Sequence, residues 1–159
     1  MKKEALENGA CEIDDQYVSN QKLIQLPLAI RRQRTVDTIM ALKNISGGAM
    51  QTNNMGDVTP KFIVLATTTT GNHPFSHIAK SDGVSDDKAV LNVEGIREVL
   101  SDYKNVLIGK VFIGKRSGFM DDYNDSLKDL QTEFPNMVNY GTVNEMIDAY
   151  CEQLEEQMK

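Results

Sequence analysis

Between residues 143 and 157 the apolar positions Val143, Met146, Ile147, Tyr150 and Leu154 recur at helical spacing, while Glu145, Asp148, Glu152, Glu155 and Glu156 fall largely elsewhere. Thr142 followed by Glu145 is a capping-box pattern, so the chain predicts a helix over 143–157. Ile96, Val99, Leu100 and Tyr103 predict another over 93–103. A third is expected over 29–45, where Ala29, Val36 and Met40, flanked by Ile39, share one side and Arg31, Arg34 and Thr38 the other. Pro27 suits the approach to that helix and Gly47-Gly48 its end. A short helix is expected over 125–132. Strand patterns cover 61–69, 88–93 and 105–113; in the last, Leu107, Val111 and Ile113 alternate with Ile108, Lys110 and Phe112. Residues 11–18, CEIDDQYV, alternate weakly and suit a short edge strand. The opening ten residues show no period and read as frayed. Residues 70–87 read as a long loop, and Pro135 and Gly141 bracket a turn region.

The order helix, strand, strand, helix, strand and helical tail predicts an α+β fold. It matches the ferredoxin-like, RNA-recognition-type βαββαβ arrangement if a first strand precedes the helix at 29. CEIDDQYV is the candidate for that strand, although Asp14, Asp15 and Gln16 suit a solvent-facing edge better than a sheet centre. The expected organisation is an N-terminal extension over 1–11, a ferredoxin-like domain over 12–120 and an acidic helical tail over 121–159.

With 159 residues, one domain with a genuine core is the natural expectation. The 40% apolar and 25% charged content is that of an ordinary globular chain, and no apolar run approaches a membrane span. The start, MKKEALENGA, lacks the apolar segment of a secretory signal. Cys11 and Cys151 lie far apart without metal-binding spacing, which suits free thiols in the cytoplasm.

A net charge of −6 argues against binding nucleic acid through the whole surface, but the charge is unevenly placed. Between residues 22 and 43, Lys22, Arg31, Arg32, Arg34 and Lys43 face only Asp37; Lys110, Lys115 and Arg116 form a second basic group. From Asp121 onward ten acidic residues meet only Lys128 and Lys159. That asymmetry fits a basic working surface and a separately placed acidic tail, and equally a solvated mixture of charges.

Catalytic chemistry has little support. His73 and His77 are four apart, but Pro74 opposes the helix that would align them, and no carboxylate or cysteine completes a ligand set nearby. Ser46 and Ser117 have no adjacent base, and GGAMQTNNMG lacks the lysine of a phosphate-cradling loop. Asp121-Asp122 reads as a solvated acidic turn. RNA binding by shape and backbone contact has more: the Arg31/Arg34 face, the Gly47-Gly48 loop, and GKRSGF at 114–119. Lys110 and Phe112 on one strand face pair a base with an aromatic ring, though Phe112 also fits core packing.

Three segments, LPLAIRRQRTVDTIMALKNIS, GGAMQTNNMGDVTPKFIVLA and LIGKVFIGKRSGF, resemble in order and spacing the C-terminal half of the CRISPR-associated DevR-type protein. That family supplies the repeated backbone subunit of the type I-B Cascade complex, and the resemblance spans roughly residues 12–130. It implies a non-catalytic, cytoplasmic subunit without cofactor or metal. Such a subunit holds CRISPR RNA by its backbone and associates with itself and with other Cascade subunits in antiviral defence. The expected RNA contacts are Arg31, Arg34, Lys43, Gly47, Gly48, Lys110, Phe112, Lys115 and Arg116. Family members are about twice this length, with their first strand in an N-terminal half. Either the chain is a C-terminal fragment, or CEIDDQYV fills the place, or another chain does, and the isolated chain is expected to be marginally stable or to associate. The alternatives are a stand-alone ferredoxin-like interaction module, whose acidic tail docks a protein partner, and a small metal-dependent nuclease around His73, His77 and the aspartates.

Overall fold

The computed structural model describes residues 2–46, 57–81 and 89–158. Helix α1 (Lys2–Glu7) leads into an antiparallel ribbon of β1 (Cys11–Asp14) and β2 (Lys22–Gln25), with Cys11 opposite Gln25 and Asp14 opposite Lys22. Asp15 turns the ribbon, its Oδ1 accepting the Tyr17 and Val18 N–H groups at 2.7 and 3.1 Å. CEIDDQYV therefore does begin with a strand, but that strand pairs with residues 22–25 and stays outside the central sheet. All four residues of β1 are exposed, as the polar character of Glu12 and Asp14 requires.

Helix α2 (Leu28–Ala41) follows, tightened at its end by a 3₁₀ turn, Leu42–Asn44. Then come β3 (Phe62–Thr68), a ribbon of β4 (Ala79–Ser81) and β5 (Ala89–Leu91), and α3 (Val93–Asp102). The chain continues through β6 (Leu107–Lys115), α4 (Asn124–Glu133), β7 (Val138–Gly141) and α5 (Val143–Gln157). The central sheet has the order β3-β6-β7, with β6 antiparallel to β3 and parallel to β7.

The chain is α+β, as its patterning predicts, but among the described residues this sheet is not the ferredoxin-like one. It has three strands, includes a parallel pair, and is covered on both faces. Val111 and Ile113 of β6 pack with Ile96 and Leu100 of α3, Leu127 and Leu130 of α4, and Val138. Phe112 turns to the other face, against Met146, Tyr150 and Leu154 of α5. Beside α5 lies α2, whose Val36, Ile39 and Met40 meet Val143, Ile147 and Cys151. Leu100, Leu127 and Leu130 have no exposed surface, so each contributes about 1.5–3 kcal/mol of apolar burial.

The acidic segment from Asp121 is part of this core and not a separate tail. It supplies a strand of the sheet and the helix that covers one face. An amphipathic helix shows the same charge pattern whether it floats or docks; only the burial of Val143, Met146, Ile147, Tyr150, Cys151 and Leu154 decides the matter. Its start is the predicted capping box: Thr142 Oγ1 accepts the Glu145 N–H at 3.3 Å and Glu145 Oε2 accepts the Thr142 N–H at 2.9 Å. Gly114 lets that start rest directly on β6, since a Cβ there would fall 2.9 Å from the Val143 Cα. No described helix is long and apolar enough to cross a membrane.

Candidate nucleic-acid interface

The second basic group sits where β6 leaves the sheet. Lys115 follows Val111 and Ile113 in the two-residue period of the strand, so its side chain enters the buried face and is only 3% exposed. Its ammonium donates to the Arg116 carbonyl at 3.1 Å, to the Phe119 carbonyl at 2.8 Å and to Asp121 Oδ1. Three donors meet three acceptors, and the charge is fully engaged. Asp121 also accepts the Gly118 N–H at 3.0 Å. The Lys115 contact first, and the Gly118 N–H second, hold the Asp121 carboxyl below its ordinary 3.8. Gly118 takes φ +85 and Met120 φ +53, so the turn closes through left-handed residues. Lys115 thus builds the turn from inside with its ammonium engaged by these three acceptors, and Phe112, 3% exposed beneath α5, offers no stacking surface.

Arg116 has the opposite environment. Its N–H donates to the Lys61 carbonyl and its Nε to the Pro60 carbonyl, both at 2.9 Å. These bonds tie the GKRSGF turn to the residues that open β3. Arg116, Ser117, Thr142, Val143 and Asn144 line an open cleft of about 400 Å³ at the start of α5. Hydroxyl and amide groups flank the guanidinium there, an arrangement suited to phosphate oxygens. Glu145 stands at the same helix start, its carboxyl held below its ordinary 4.5 by the Thr142 N–H and hydroxyl, and limits how much negative charge the cleft accepts. Ahead of β3, hydrogen bonds from the Thr59 side chain first and the Thr59 N–H second, with the Lys61 ion pair at 3.2 Å, lower the Asp57 pKa to about 2.

The remaining expected contacts are dispersed. Arg34 is exposed on α2, whereas Arg31 is half-buried with its Nε donating to the Leu26 carbonyl at 3.1 Å. Lys43 is held by Asp148, and Lys110 reaches Asn139 at 3.4 Å beside β7. Arg32 bonds the Met158 carbonyl at the far end of α5. The Arg31–Arg34 group and the Arg116 cleft therefore stand at opposite ends of a fifteen-residue helix, roughly 20 Å apart. The sequence joined them in one basic surface; the structure separates them by the length of α5. Gly47 and Gly48 lie outside the described residues.

A feature with no sequence signal lies at the other end of β6. Leu65 pairs with Phe112 but Thr67 with Ile108, so β6 carries two extra residues at a bulge where Gly109 takes φ +72. Gln153 matches the exposed backbone: its Oε1 accepts the Lys110 N–H at 2.7 Å and its Nε2 donates to the Lys110 carbonyl at 3.3 Å. Gln157 Nε2 donates to the Ile108 carbonyl at 3.1 Å. A Cβ on Gly109 would fall 2.5 Å from both amides.

His73 and His77 are both exposed, and the described residues hold no group of three or more His, Cys, Asp or Glu placed to bind a metal. Comparison with protein-family models, with curated proteins and with solved structures finds no match.

Proposed function

We propose that this chain is a non-catalytic, cytoplasmic subunit that holds CRISPR RNA by its backbone and assembles with copies of itself and other subunits into a Cascade-type antiviral complex of the DevR kind. The reading starts from the resemblance carried by the three segments around α2, β3 and β6. The observation that supports it most is the pair of bonds from Arg116 to the Pro60 and Lys61 carbonyls, which brings two of those segments to one cleft edged by a partly exposed guanidinium. The spacing of the basic groups supports it further. Two cationic sites roughly 20 Å apart suit an extended polyanion that runs past both, not a small anion held by one. Contact through phosphates alone carries no sequence information. The ligand-facing residues in this reading are Arg31, Arg34 and Arg116; Lys43 and Lys110 lie apart from them, paired with Asp148 and Asn139, and Lys115 and Phe112 act from within the fold.

At low salt the chain should bind two single-stranded RNAs of unrelated sequence with similar affinity, measured by fluorescence anisotropy. Failure to bind either RNA, or strong preference for one, overturns the proposal.

A further inference from the structure

Among the described residues, the outer edge of β3 has no strand partner. The Lys61 carbonyl accepts from the Arg116 N–H and the Thr69 N–H donates to the Val106 carbonyl, both on the β6 side. Backbone groups alternate sides along a strand, so the N–H and C=O groups of Phe62, Val64, Ala66 and Thr68 turn away from β6. The run Phe62-Ile63-Val64-Leu65-Ala66 has the composition of a strand covered on both faces. Yet all seven residues of β3 stay partly exposed, while Val111, Phe112 and Ile113 of β6 are buried.

The helices show where a further strand beside β3 would lie. α5 lies over β6, and α2 packs beside α5 with Val36, Ile39 and Met40 near Ile63 and Leu65. Helices pack roughly 8–10 Å apart and strands roughly 4.8 Å apart. A helix alongside α5 therefore extends past β3, over the position that a further strand would occupy. Residues 62–70 carry no ionisable group. A charge entering that position would lose its hydration and find no partner, so an uncharged segment matches it. Pro60 and Lys61 guard only one end of the edge.

We infer that β3 is a strand acceptor: an extended, uncharged segment of another polypeptide adds to its outer edge through backbone hydrogen bonds and fits beneath α2. A second copy presenting its own β3 fits less well, because α2 overhangs the same position in each copy and the two helices would meet. The inference stands on the sheet and helices alone and does not depend on RNA binding.

The test uses residues 62–70 of the chain as a capped synthetic peptide, which has the uncharged chemistry of the edge without the helix. Adding it to the full chain should slow amide hydrogen exchange at Val64 and Ala66 at least tenfold. Thr68→Pro removes an outward N–H without touching a bond to β6, and should weaken peptide binding at least tenfold. The same peptide N-methylated at alternate residues should also fail to bind, which tests the contact without altering the protein. The inference is overturned if the peptide protects neither amide. It is also overturned if both amides are already protected in the dilute chain, or become protected with chain concentration alone; the edge would then be filled by the chain itself or by a second copy.

Discussion

At Ile108–Lys110 strand β6 bulges away from β3, and at Arg116–Phe119 it leaves the sheet; both places strand backbone groups that the ladder no longer satisfies. At the first, neutral amides arrive from α5, and Gln153 pairs with Lys110 much as a neighbouring strand would. At the second, the strand's own Lys115 folds inward and its ammonium collects two carbonyls and a carboxylate. A cation was used where three acceptors converge, an amide where one donor and one acceptor face the same way. The contrast shows that a lysine next to a partly exposed arginine can belong to the architecture.

The sharpest way to break the contrast is Lys115→Met. It keeps the bulk but leaves two carbonyl groups without their donor, so it should cost about 2–4 kcal/mol, read by denaturant unfolding. Loss below about 1 kcal/mol would mean that the turn finds other donors. Gly109→Ala should cost less, about 1–2 kcal/mol, through the left-handed backbone and displacement of the Gln153 and Gln157 amides. An unchanged melt would show that the bulge relaxes freely.

Acid should affect only the charged end. The folded pKa of Asp121 lies below 3.8, so its contribution is complete above that ordinary value and is lost as pH falls through the lower folded value. Wild type should therefore lose more stability than Asp121→Asn as pH falls below about 4, with melting temperature as the readout. Equal losses in both proteins would remove Asp121 from the account. Because Asp121 is half exposed, this is expected to be the smallest of the stability effects.

Helix α5 was legible in detail because its stripe, cap and acidic face agree over fifteen residues. Strand β7 was not: Val138-Asn139-Tyr140-Gly141 is too short to alternate and lies between Pro135 and the next helix cap, where turn chemistry dominates. The same brevity hid β2 and β4. Lys115 did carry a signal, since it continues the period of Val111 and Ile113, but the predicted strand stopped at Ile113 and released it to the surface. The cleft was illegible because the bond from Arg116 to Pro60 spans 56 residues and depends on how β3 and β6 align. Periodicity reports which face a residue takes, not which loop it meets.

The central claim is that ligand-facing charge lies on Arg31, Arg34 and Arg116 while Lys115 works inside. The most direct test is the salt dependence of RNA affinity for the triple variant Arg31→Ala/Arg34→Ala/Arg116→Ala beside wild type. Each lost phosphate contact should flatten the logarithmic slope by roughly 0.7, so the triple variant should be shallower by about 2. A triple variant that remains folded and binds RNA with the wild-type slope would contradict the claim.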